Sequence, residues 1–294
     1  MSNINYSIII PHYNASELLD RCINSIPKRG DIQIIVVDDC SNNDVYQTVL
    51  EKYKSCEHVE IYQNEKNAGA GYSRNYGISK AIGKWLIFSD CDDYFTEEAF
   101  SSFDLFLNTD NDIVYFDSVI NNQSELKKIQ DRCAENIKKY ISGKNKKLIK
   151  TNNWEPWGKL FSSNFIKRNK IEFHTVSVMN DAFFTIRANL LAKKIDMSLK
   201  RVYVYVIYAN SISRQKSIEK SATRLQEILL INKEILSHKG YVFYTIDVFL
   251  PVLYFIRDFG IKNIARMKQI IKENGFHVGI PFYSLQQKIK RNMK

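Results

Sequence analysis

Cysteine is scarce in this chain of 294 residues, and long apolar runs are missing from it. The five cysteines are odd in number and widely spaced, and no two form a CxxC pair, which indicates free thiols in a reducing compartment. The longest late apolar stretch, 242–256, is interrupted by Asp247 and Pro251, so we expect no transmembrane helix. The N-terminus shows no basic segment followed by an apolar stretch and a cleavage site, so we expect no secretory signal and a cytoplasmic location.

The composition is that of a globular protein with a surplus of lysine. Hydrophobic residues make up 45% of the chain and charged residues 25%, which suits one large domain or a domain with an appendage. The net charge is +10, with basic residues concentrated late, in 138–150 and 262–294. This asymmetry favours peripheral contact with an anionic membrane and no nucleic-acid partner, although solubility alone is an equally good explanation.

Apolar segments of strand length alternate with segments of helical periodicity over the first 120 residues. The strands are predicted at 6–11, 32–37, 59–63, 85–89 and 112–116. The helices are predicted at 16–25, 44–55, 70–82 and 97–108. This alternation is typical of an α/β fold with a mostly parallel sheet flanked by helices, whose ligands bind beyond the carboxyl ends of the strands.

The rest of the chain is predicted to be mixed at first and then helical. A lysine-rich helix and connection at 127–150 is followed by further elements at 154–161, 163–169, 181–192 and 201–208. These elements complete a first domain, 1–216. The region 217–294 is predicted to be a helical extension, with helices at 217–237, 242–257 and 261–273.

Polar and aromatic residues follow the first two predicted strands. PHYN ends the first strand at 11–14, and DDCS ends the second at 38–41, so both segments face one crevice. The ring of Tyr13 can stack on a base, and a carboxylate can accept from an imide N–H or from ribose hydroxyls, which suits a nucleotide. For Asp38 alone, a turn aspartate that caps the next helix is an equal alternative.

Three carboxylates lie within four residues after the fourth predicted strand, at Asp90, Asp92 and Asp93. Such groups repel one another unless a cation or solvent relieves the repulsion, and oxygen-rich clusters select Mg²⁺ or Mn²⁺. A divalent metal site is the simplest explanation of the cluster. A solvated turn that caps the next helix is the alternative.

A glycine-containing helix start lies between these two clusters, with Gly69 and Gly71 ahead of Arg74 and Asn75. The glycines permit tight backbone passage, and the two polar residues can contact phosphate or hold the aspartate cluster. The segment lacks the third glycine of a dinucleotide fingerprint and follows the wrong strand, which argues against a Rossmann dehydrogenase.

In order and spacing, the segments PHYN, VVDDCS, NAGAGYSRNYGISKAIGKW and FSDCDDYF resemble glycosyltransferase family 2, the inverting enzymes of the GT-A fold. A fainter resemblance continues through WGKLF at 157–161 and NDAFF at 180–184 to SIS at 211–213. It implies a GT-A fold whose residues 1–120 form a nucleotide-sugar donor half and whose residues 121–216 form an acceptor half. The tail after Ser217 matches no family motif.

The resemblance also implies roles for single residues of the donor site. Tyr13 would pack on the nucleobase, Asp39 would bond to it, and Asp38 would support the pocket. Asp90 would lie near the ribose and the metal, and Asp92 would be the principal protein ligand of the Mn²⁺ or Mg²⁺ ion. Asp93 is a weaker candidate for this ion, and the other implied donor-site residues are Pro11, Gly69, Arg74 and Cys91.

The family usually carries its catalytic base in a Glu-Asp pair at a helix start, and the matching pair here is Asn180-Asp181. The resemblance therefore implies Asp181 as the base, and the departure at Asn180 bears on the acceptor contacts. The alternative is that Asp181 is an ordinary carboxylate in the first turn of a helix.

Candidate acceptor residues are Trp154, Trp157 and Lys159. The two tryptophans are candidates because aromatic faces stack on the C–H surfaces of sugars. Packing of both tryptophans in the core is an equal alternative. His12 and His174 invite acid–base interpretations, but a lone histidine is more often structural.

The resemblance thus implies a metal-dependent inverting glycosyltransferase that transfers a sugar from a nucleotide-diphosphate sugar, in the first instance a UDP-sugar, to a glycan or lipid-linked acceptor in surface polysaccharide synthesis. Asp181 would remove the proton of an acceptor hydroxyl. The rival is a catalytically inactive nucleotide-sugar or glycan-binding module, against which intact Asp92 and Asp181 count. A nucleotidyltransferase would need a basic phosphate loop near the first strand, where PHYNASE offers none.

Overall fold

The computed structural model of the protein describes residues 4–121, 127–143, 146–208 and 216–275, and the side chains at all of these positions except 127–133. The SIS segment at 211–213 and most of the late basic stretch, from residue 276 on, lie outside the described residues. Cys133 belongs to the positions whose side chains are not described, and the other four cysteines are free thiols.

The first half of the fold is built from strands that alternate with helices, as the apolar pattern predicts. Strand β1 pairs in parallel with β2 and with β4, and β2 pairs in parallel with β3. The strands are β1 Tyr6–His12, β2 Ile32–Asp38, β3 Val59–Gln63 and β4 Trp85–Phe88. The helices between them are α1 Ser16–Asn24, α2 Asn43–Tyr53 and α3 Ala70–Lys80.

The second half extends the same sheet with mixed pairing. Its elements are β5 Tyr94–Phe95, α4 Ala99–Asp104, β6 Ile113–Asn121, α5 Lys127–Ile141, α6 Lys146–Asn152, β7 Lys159–Ser162, α7 Ser163–Arg168, α8 Asn180–Leu191 and β8 Ile195–Val206. The strand order is β3-β2-β1-β4-β7-β6-β8-β5. Strand β7 runs antiparallel to both β4 and β6, and β5 runs antiparallel to β8.

The predicted α/β architecture is confirmed, and the sheet is more mixed than the expected parallel one. The parallel pairings are β1 with β2 and β4, β2 with β3, and β6 with β8. The antiparallel β7 occupies the centre of the sheet, where it fills the gap between two parallel groups. Periodicity in the sequence reports which residues are buried and carries no information on strand direction, so this feature was not predicted.

Alternate residues of the central strands contribute side chains to two hydrophobic cores, one on each face of the sheet. Ile8 and Ile10 of β1 belong to the core that α1, α2 and α4 cover, whereas Ile9 belongs to the core beneath α7 and α8. Every residue of β1 is buried. A strand covered on both faces is expected to be apolar at consecutive positions, which explains the uninterrupted isoleucine run.

The C-terminal region is helical, as predicted, with α9 Ile218–Ser237, α10 Phe249–Phe259 and α11 Ile264–Glu273. The helix expected over 242–257 is interrupted: a 3-10 turn at Val242–Tyr244 precedes α10. Asn232 of α9 holds the chain between them extended, since its side chain bonds both the N–H and the C=O of Ile246, at 2.7 and 3.0 Å. Pro251 lies in the first turn of α10, where its missing N–H costs no helical bond.

Helix α9 joins the C-terminal region to the sheet domain. Its residues Ile231 and Ile235 form one cluster with Ala182, Ile186 and Leu190 of α8. A second cluster unites α9 with α10 and α11. In the part of the chain that the structure describes, no helix combines the length and the apolar character needed to cross a membrane.

Candidate active site

The carboxyl ends of β1, β2 and β4 meet at one edge of the sheet. In the strand register His12 lies opposite Asp38, and Ile9 lies opposite Phe88. The polar segments that follow these three strands are therefore brought together, as the sequence predicts. This edge is the candidate active site.

His12 and Asp38 form a buried pair under the edge, with Nδ1 of the imidazole 2.8 Å from Oδ2 of the carboxylate. The N–H of Ser41 also donates to Asp38, at 2.9 Å. Burial by itself opposes ionisation of Asp38, but the bonds from His12 and Ser41 outweigh it and lower the pKa below its ordinary value. His12 thus has a structural partner, and the location of Asp38 fits the supporting role expected of it.

Asp39 organises the loop that leads into α3. Its buried carboxylate accepts from the Asn64 side chain at 2.9 Å and from the N–H groups of Ala68 and Gly69, each at 2.8 Å. Gly69 has a φ of +85°, which favours glycine. Both oxygens of Asp39 are engaged in this way, and its bond to the nucleobase stays a prediction.

Tyr13 is an exposed aromatic side chain at this edge, with 48% of its surface accessible. The neighbouring Asn14 has a φ of +48° and is tied to the turn after β2, because its N–H donates to Ser41 Oγ at 2.8 Å. Pro11 is buried within β1, opposite Val37. The edge therefore presents the Tyr13 ring to a ligand, and Pro11 supports the backbone beneath it.

The aspartate loop, residues 90–93, is anchored to β8. Asp93 is fully buried and accepts from the hydroxyl of Tyr203 and from the N–H of Val206, both at 2.7 Å. The same hydroxyl accepts from the N–H of Asp90 at 3.0 Å. Burial, followed by the charge of Asp90, raises the pKa of Asp93 to about 9. Asp93 is thus an anchor of the loop, which agrees with its weaker candidacy as a ligand.

Asp90 and Asp92 are the two carboxylates of the loop that stay partly exposed. Burial, followed by the negative charge of Asp90, raises the pKa of Asp92 to about 6. Burial also raises the pKa of the Cys91 thiol, and the adjacent Asp92 adds to this effect. Arg21 supports the loop from below, because its guanidinium donates to the carbonyl oxygen of Asp92.

The donor set of the aspartate loop fits a divalent ion that the protein shares with its substrate. Among the described residues, no group of three or more His, Cys, Asp or Glu side chains could enclose a metal ion. Mg²⁺ is commonly held by one or two carboxylates together with substrate phosphates and water. Asp90 and Asp92 match this kind of site, because they are neighbouring carboxylates and the charge of Asp90 raises the pKa of Asp92 although Arg21 and Arg74 oppose the shift.

Arg74 connects the aspartate loop with the start of α8. Its guanidinium donates to Asp90 Oδ1 at 2.5 Å and to Asn180 Oδ1 at 2.8 Å. Only 4% of the surface of Arg74 is exposed. The guanidinium carbon lies 5.3 Å from the centre of the Phe173 ring. The arginine therefore holds two distant segments of the chain at a fixed separation.

Asp181 follows Asn180 in the first turn of α8, and the preceding Met179 has a φ of +57°. Burial raises the pKa of Asp181 to about 6, although Arg74 opposes this shift, and Asp90 reinforces it. A carboxylate with this pKa is mostly ionised at neutral pH and is more basic than an ordinary aspartate. These are the properties of a general base.

The three acceptor candidates are largely buried. Trp157 is 7% exposed and stacks against Tyr203 and Tyr205, with ring centres 5.3 and 5.5 Å apart. The indole N–H of Trp154 donates to Thr151 C=O at 2.8 Å, and the ammonium of Lys159 donates to the carbonyl oxygen of Glu155. This arrangement favours the packing alternative for Trp157, and the acceptor contacts stay predictions.

Several supporting residues carry no local signal in the sequence. Tyr203 and Arg21 hold the aspartate loop, and the side chain of Asn75 holds Phe173 through two bonds, of 2.8 and 2.9 Å. Their partners lie far away along the chain. Asn75 is the exception, because its position beside Arg74 at a predicted helix start had already made it a candidate for contact with phosphate or with the aspartate cluster.

The mixed α/β sheet and the aspartate loop at its edge fit the GT-A class of glycosyltransferases. The chain belongs to glycosyl transferase family 2, whose family model matches residues 7–193. It is 30% identical over 210 residues to the poly(ribitol-phosphate) beta-glucosyltransferase of Bacillus spizizenii, covering 68% of this chain and 32% of that protein. It is 26% identical to the poly(ribitol-phosphate) beta-N-acetylglucosaminyltransferase TarS of Staphylococcus aureus, covering 68% and 35%. The chain thus spans about a third of the length of these relatives.

Solved structures show the same fold. Residues 1–349 of TarS from S. aureus, in complex with UDP-GlcNAc, superpose with a TM-score of 0.73 at 22% identity, covering 92% of this chain and 80% of that one. The mannosyltransferase PcManGT of Pyrobaculum calidifontis, in complex with GDP-Man and Mn²⁺, superposes with a TM-score of 0.57 at 11% identity, covering 98% and 85%. The expected GT-A-like fold with a helical C-terminal region is confirmed.

Proposed function

We propose that the protein transfers a sugar from a nucleotide-diphosphate sugar, namely a UDP-sugar, to a hydroxyl group of a glycan or lipid-linked acceptor in cell-wall or other surface polysaccharide synthesis. The observation that carries this proposal is the bridge made by Arg74, which links Asp90 of the aspartate loop to Asn180, the neighbour of Asp181. Arg74 and Asp90 both act electrostatically on Asp181, which supports a carboxylate metal site and a basic carboxylate close to each other. Both groups are needed for sugar transfer.

The donor would lie along the strand edge. The exposed ring of Tyr13 offers a face for the uracil base, and Asp38 and Asp39 hold the turns around it. The diphosphate would extend towards Asp90 and Asp92. The names of the relatives support UDP-sugar use, since TarS has been solved with UDP-GlcNAc.

Asp90 and Asp92 would hold Mg²⁺ or Mn²⁺ together with the diphosphate. When bound, the ion would neutralise the charge that develops on the leaving diphosphate. Asp92 is the principal candidate because burial and the charge of Asp90 raise its pKa, and a bound cation would favour its ionised form.

Asp181 would take the proton of the acceptor hydroxyl. The hydroxyl oxygen would then attack the anomeric carbon from the side opposite the diphosphate while the bond from that carbon to the diphosphate oxygen breaks and the nucleoside diphosphate leaves, so an α-linked donor would give a β-linked product. Arg74 would favour the ionised form of Asp181 through its positive charge while its bond to Asn180 holds the start of α8. Orientation and general-base action are together the chain's own contribution to the rate.

A second surface supports contact with an anionic membrane. The 3-10 turn at Val242–Tyr244 and helix α10 expose large apolar side chains, among them Tyr254 at 52% and Leu253 at 40%, and Ile261 follows at 68%. A lipid-linked acceptor would make such docking useful. The basic tail at 288–294, which lies outside the described residues, would add attraction to anionic lipid.

The rival function is a catalytically inactive module that binds nucleotide sugars or glycans. Such a module needs a donor site but no catalytic base. The chain belongs to a family of glycosyl transferases, which favours an enzyme.

Binding and turnover measured together test the proposal. Nucleotide sugars are screened for protection against thermal unfolding with Mn²⁺, with Mg²⁺ and with EDTA, and a ligand at one hundred times its Kd adds about 2.7 kcal/mol. We expect protection by UDP-sugars that depends on the metal and is lost in Asp92→Ala, together with transfer to a polysaccharide acceptor. Equal protection and turnover of this variant in EDTA would contradict the metal site, and protection without transfer to any acceptor would favour the inactive module.

A further inference from the structure

The loop that precedes α8 lies directly against the donor half of the site. This base loop, residues 171–179, packs so closely on the first turn of α3 that a Cβ atom on Gly71 would lie 2.1 Å from the carbonyl oxygen of His174. The side chain of Asn75 bonds both the C=O and the N–H of Phe173, at 2.9 and 2.8 Å. The base loop ends at Met179, two residues before Asp181, so its position sets the position of the proposed base.

A residue of the C-terminal region holds this loop from the other side. Oε2 of Glu227, in the middle of α9, accepts a hydrogen bond of 2.7 Å from Nδ1 of His174. The imidazole also stacks on Phe183 of α8, with ring centres 4.0 Å apart. Glu227 is only 2% exposed and lies among apolar residues of α9, and a carboxylate in such surroundings needs a partner of this kind.

The backbone at the other end of the base loop depends on the same helix. Met179, which directly precedes Asn180 and Asp181, has a φ of +57°, an unfavourable conformation for a residue that carries a Cβ atom. Its side chain packs against both clusters that α9 forms, one with α8 and one with α10 and α11. The C-terminal helices therefore stabilise the turn that aims Asp181 at the crevice.

We propose that Glu227 is a positioning residue for sugar transfer: its bond to His174 fixes the base loop, and through it Asp181, against the donor site. The inference rests on the proposed role of Asp181 as the base. In this proposal the helical region after residue 217 contributes to catalysis by positioning the base, although that region carries none of the family's motifs. Glu227 itself does not touch the substrate.

A second pair on the same two helices provides a matched control. Arg187 of α8 and Glu234 of α9 form an ion pair of 3.5 Å that does not involve the base loop. Glu227→Gln and Glu234→Gln each replace a carboxylate of α9 by an amide of the same size. If Glu227 only fastened α9 to the domain, both variants would behave alike.

The experiment compares the two variants in the full-length chain. For each, we measure kcat for transfer, donor Kd by calorimetry, the unfolding midpoint, and hydrogen exchange of the amides in 172–182. We expect Glu227→Gln to lower kcat about ten-fold or more, to leave donor Kd within about three-fold, and to speed exchange in the base loop. Glu234→Gln should leave kcat and this exchange unchanged.

Equal losses of kcat in the two variants, or unchanged exchange in the base loop of Glu227→Gln, would overturn the proposal. Should Glu227→Gln fail to fold, His174→Leu combined with Glu227→Leu replaces the pair by apolar side chains and keeps the core filled. This double variant is expected to fold and to show the same loss of kcat, and wild-type kcat in it would also overturn the proposal. Absence of transfer in the wild-type protein would instead refute the proposed function, and the exchange measurement would still test the link.

Discussion

Replacement of Asp181 by Asn separates binding from catalysis at this site. The amide keeps the shape of the side chain but removes its basicity. Loss of a positioned general base typically costs about a hundred-fold to ten-thousand-fold in rate. We therefore expect transfer to fall by at least about a hundred-fold, whereas donor affinity in calorimetry stays within a few-fold of wild type, since the predicted donor contacts lie on the strand edge.

The same substitution should stabilise the fold, because the raised pKa is a cost of keeping Asp181 ionised. The pKa rises from 3.8 to about 6, and about 1.4 kcal/mol per unit gives an upper limit of roughly 3 kcal/mol. Solvent screening of the partly exposed side chain reduces the gain to about 1 kcal/mol. Because the folded pKa lies above the unfolded one, this cost is absent below about pH 4 and complete well above pH 6.

The assay is denaturant unfolding of the wild type and of Asp181→Asn at pH 8 and at pH 4.5, without ligand. The variant should be more stable at pH 8, and the difference should shrink at the lower pH. Glu172→Gln is the control, since it removes an exposed carboxylate from the base loop and should change neither rate nor stability. A parallel collapse of donor affinity and rate would assign Asp181 to the donor or metal site, and a variant with unchanged rate would show that the base lies elsewhere.

Three further substitutions address packing and docking. Gly71→Ala should lower the free energy of unfolding by about 1–3 kcal/mol, because the new methyl group would lie 2.1 Å from a backbone atom. Gly30→Ala is the control, since nothing lies within 4 Å of its new methyl group, and equal denaturant midpoints of the two variants would contradict the prediction. Trp157→Ala should cost roughly 3–5 kcal/mol in the same assay if the ring is a core residue, and a small loss would favour an accessible acceptor platform. Leu253→Glu should weaken flotation with anionic liposomes while leaving transfer to a soluble acceptor unchanged, and equal flotation of the two proteins would argue against membrane docking through α10.

The amino-acid sequence by itself determined the elements and the location of the site. The isoleucine run of β1 encodes a strand buried on both faces, and the polar residues directly after it must then lie at the edge of the sheet. Asp92 and Asp181 could be predicted as metal ligand and general base because the motifs around them occur in the order that is characteristic of the family. These patterns involve residues that are close together in the chain, so they can be recognised without the structure.

Only the tertiary structure decided which distant residues support those motifs. The hydroxyl of Tyr203 reaches Asp93, 110 positions earlier in the chain, and Glu227 reaches His174 across 53 positions. A tyrosine in an aromatic strand or a glutamate in an amphipathic helix has no local feature that names its partner. Such pairs arise because folding brings separate segments together and a buried polar group then requires a partner, a condition that exists only once the chain is packed.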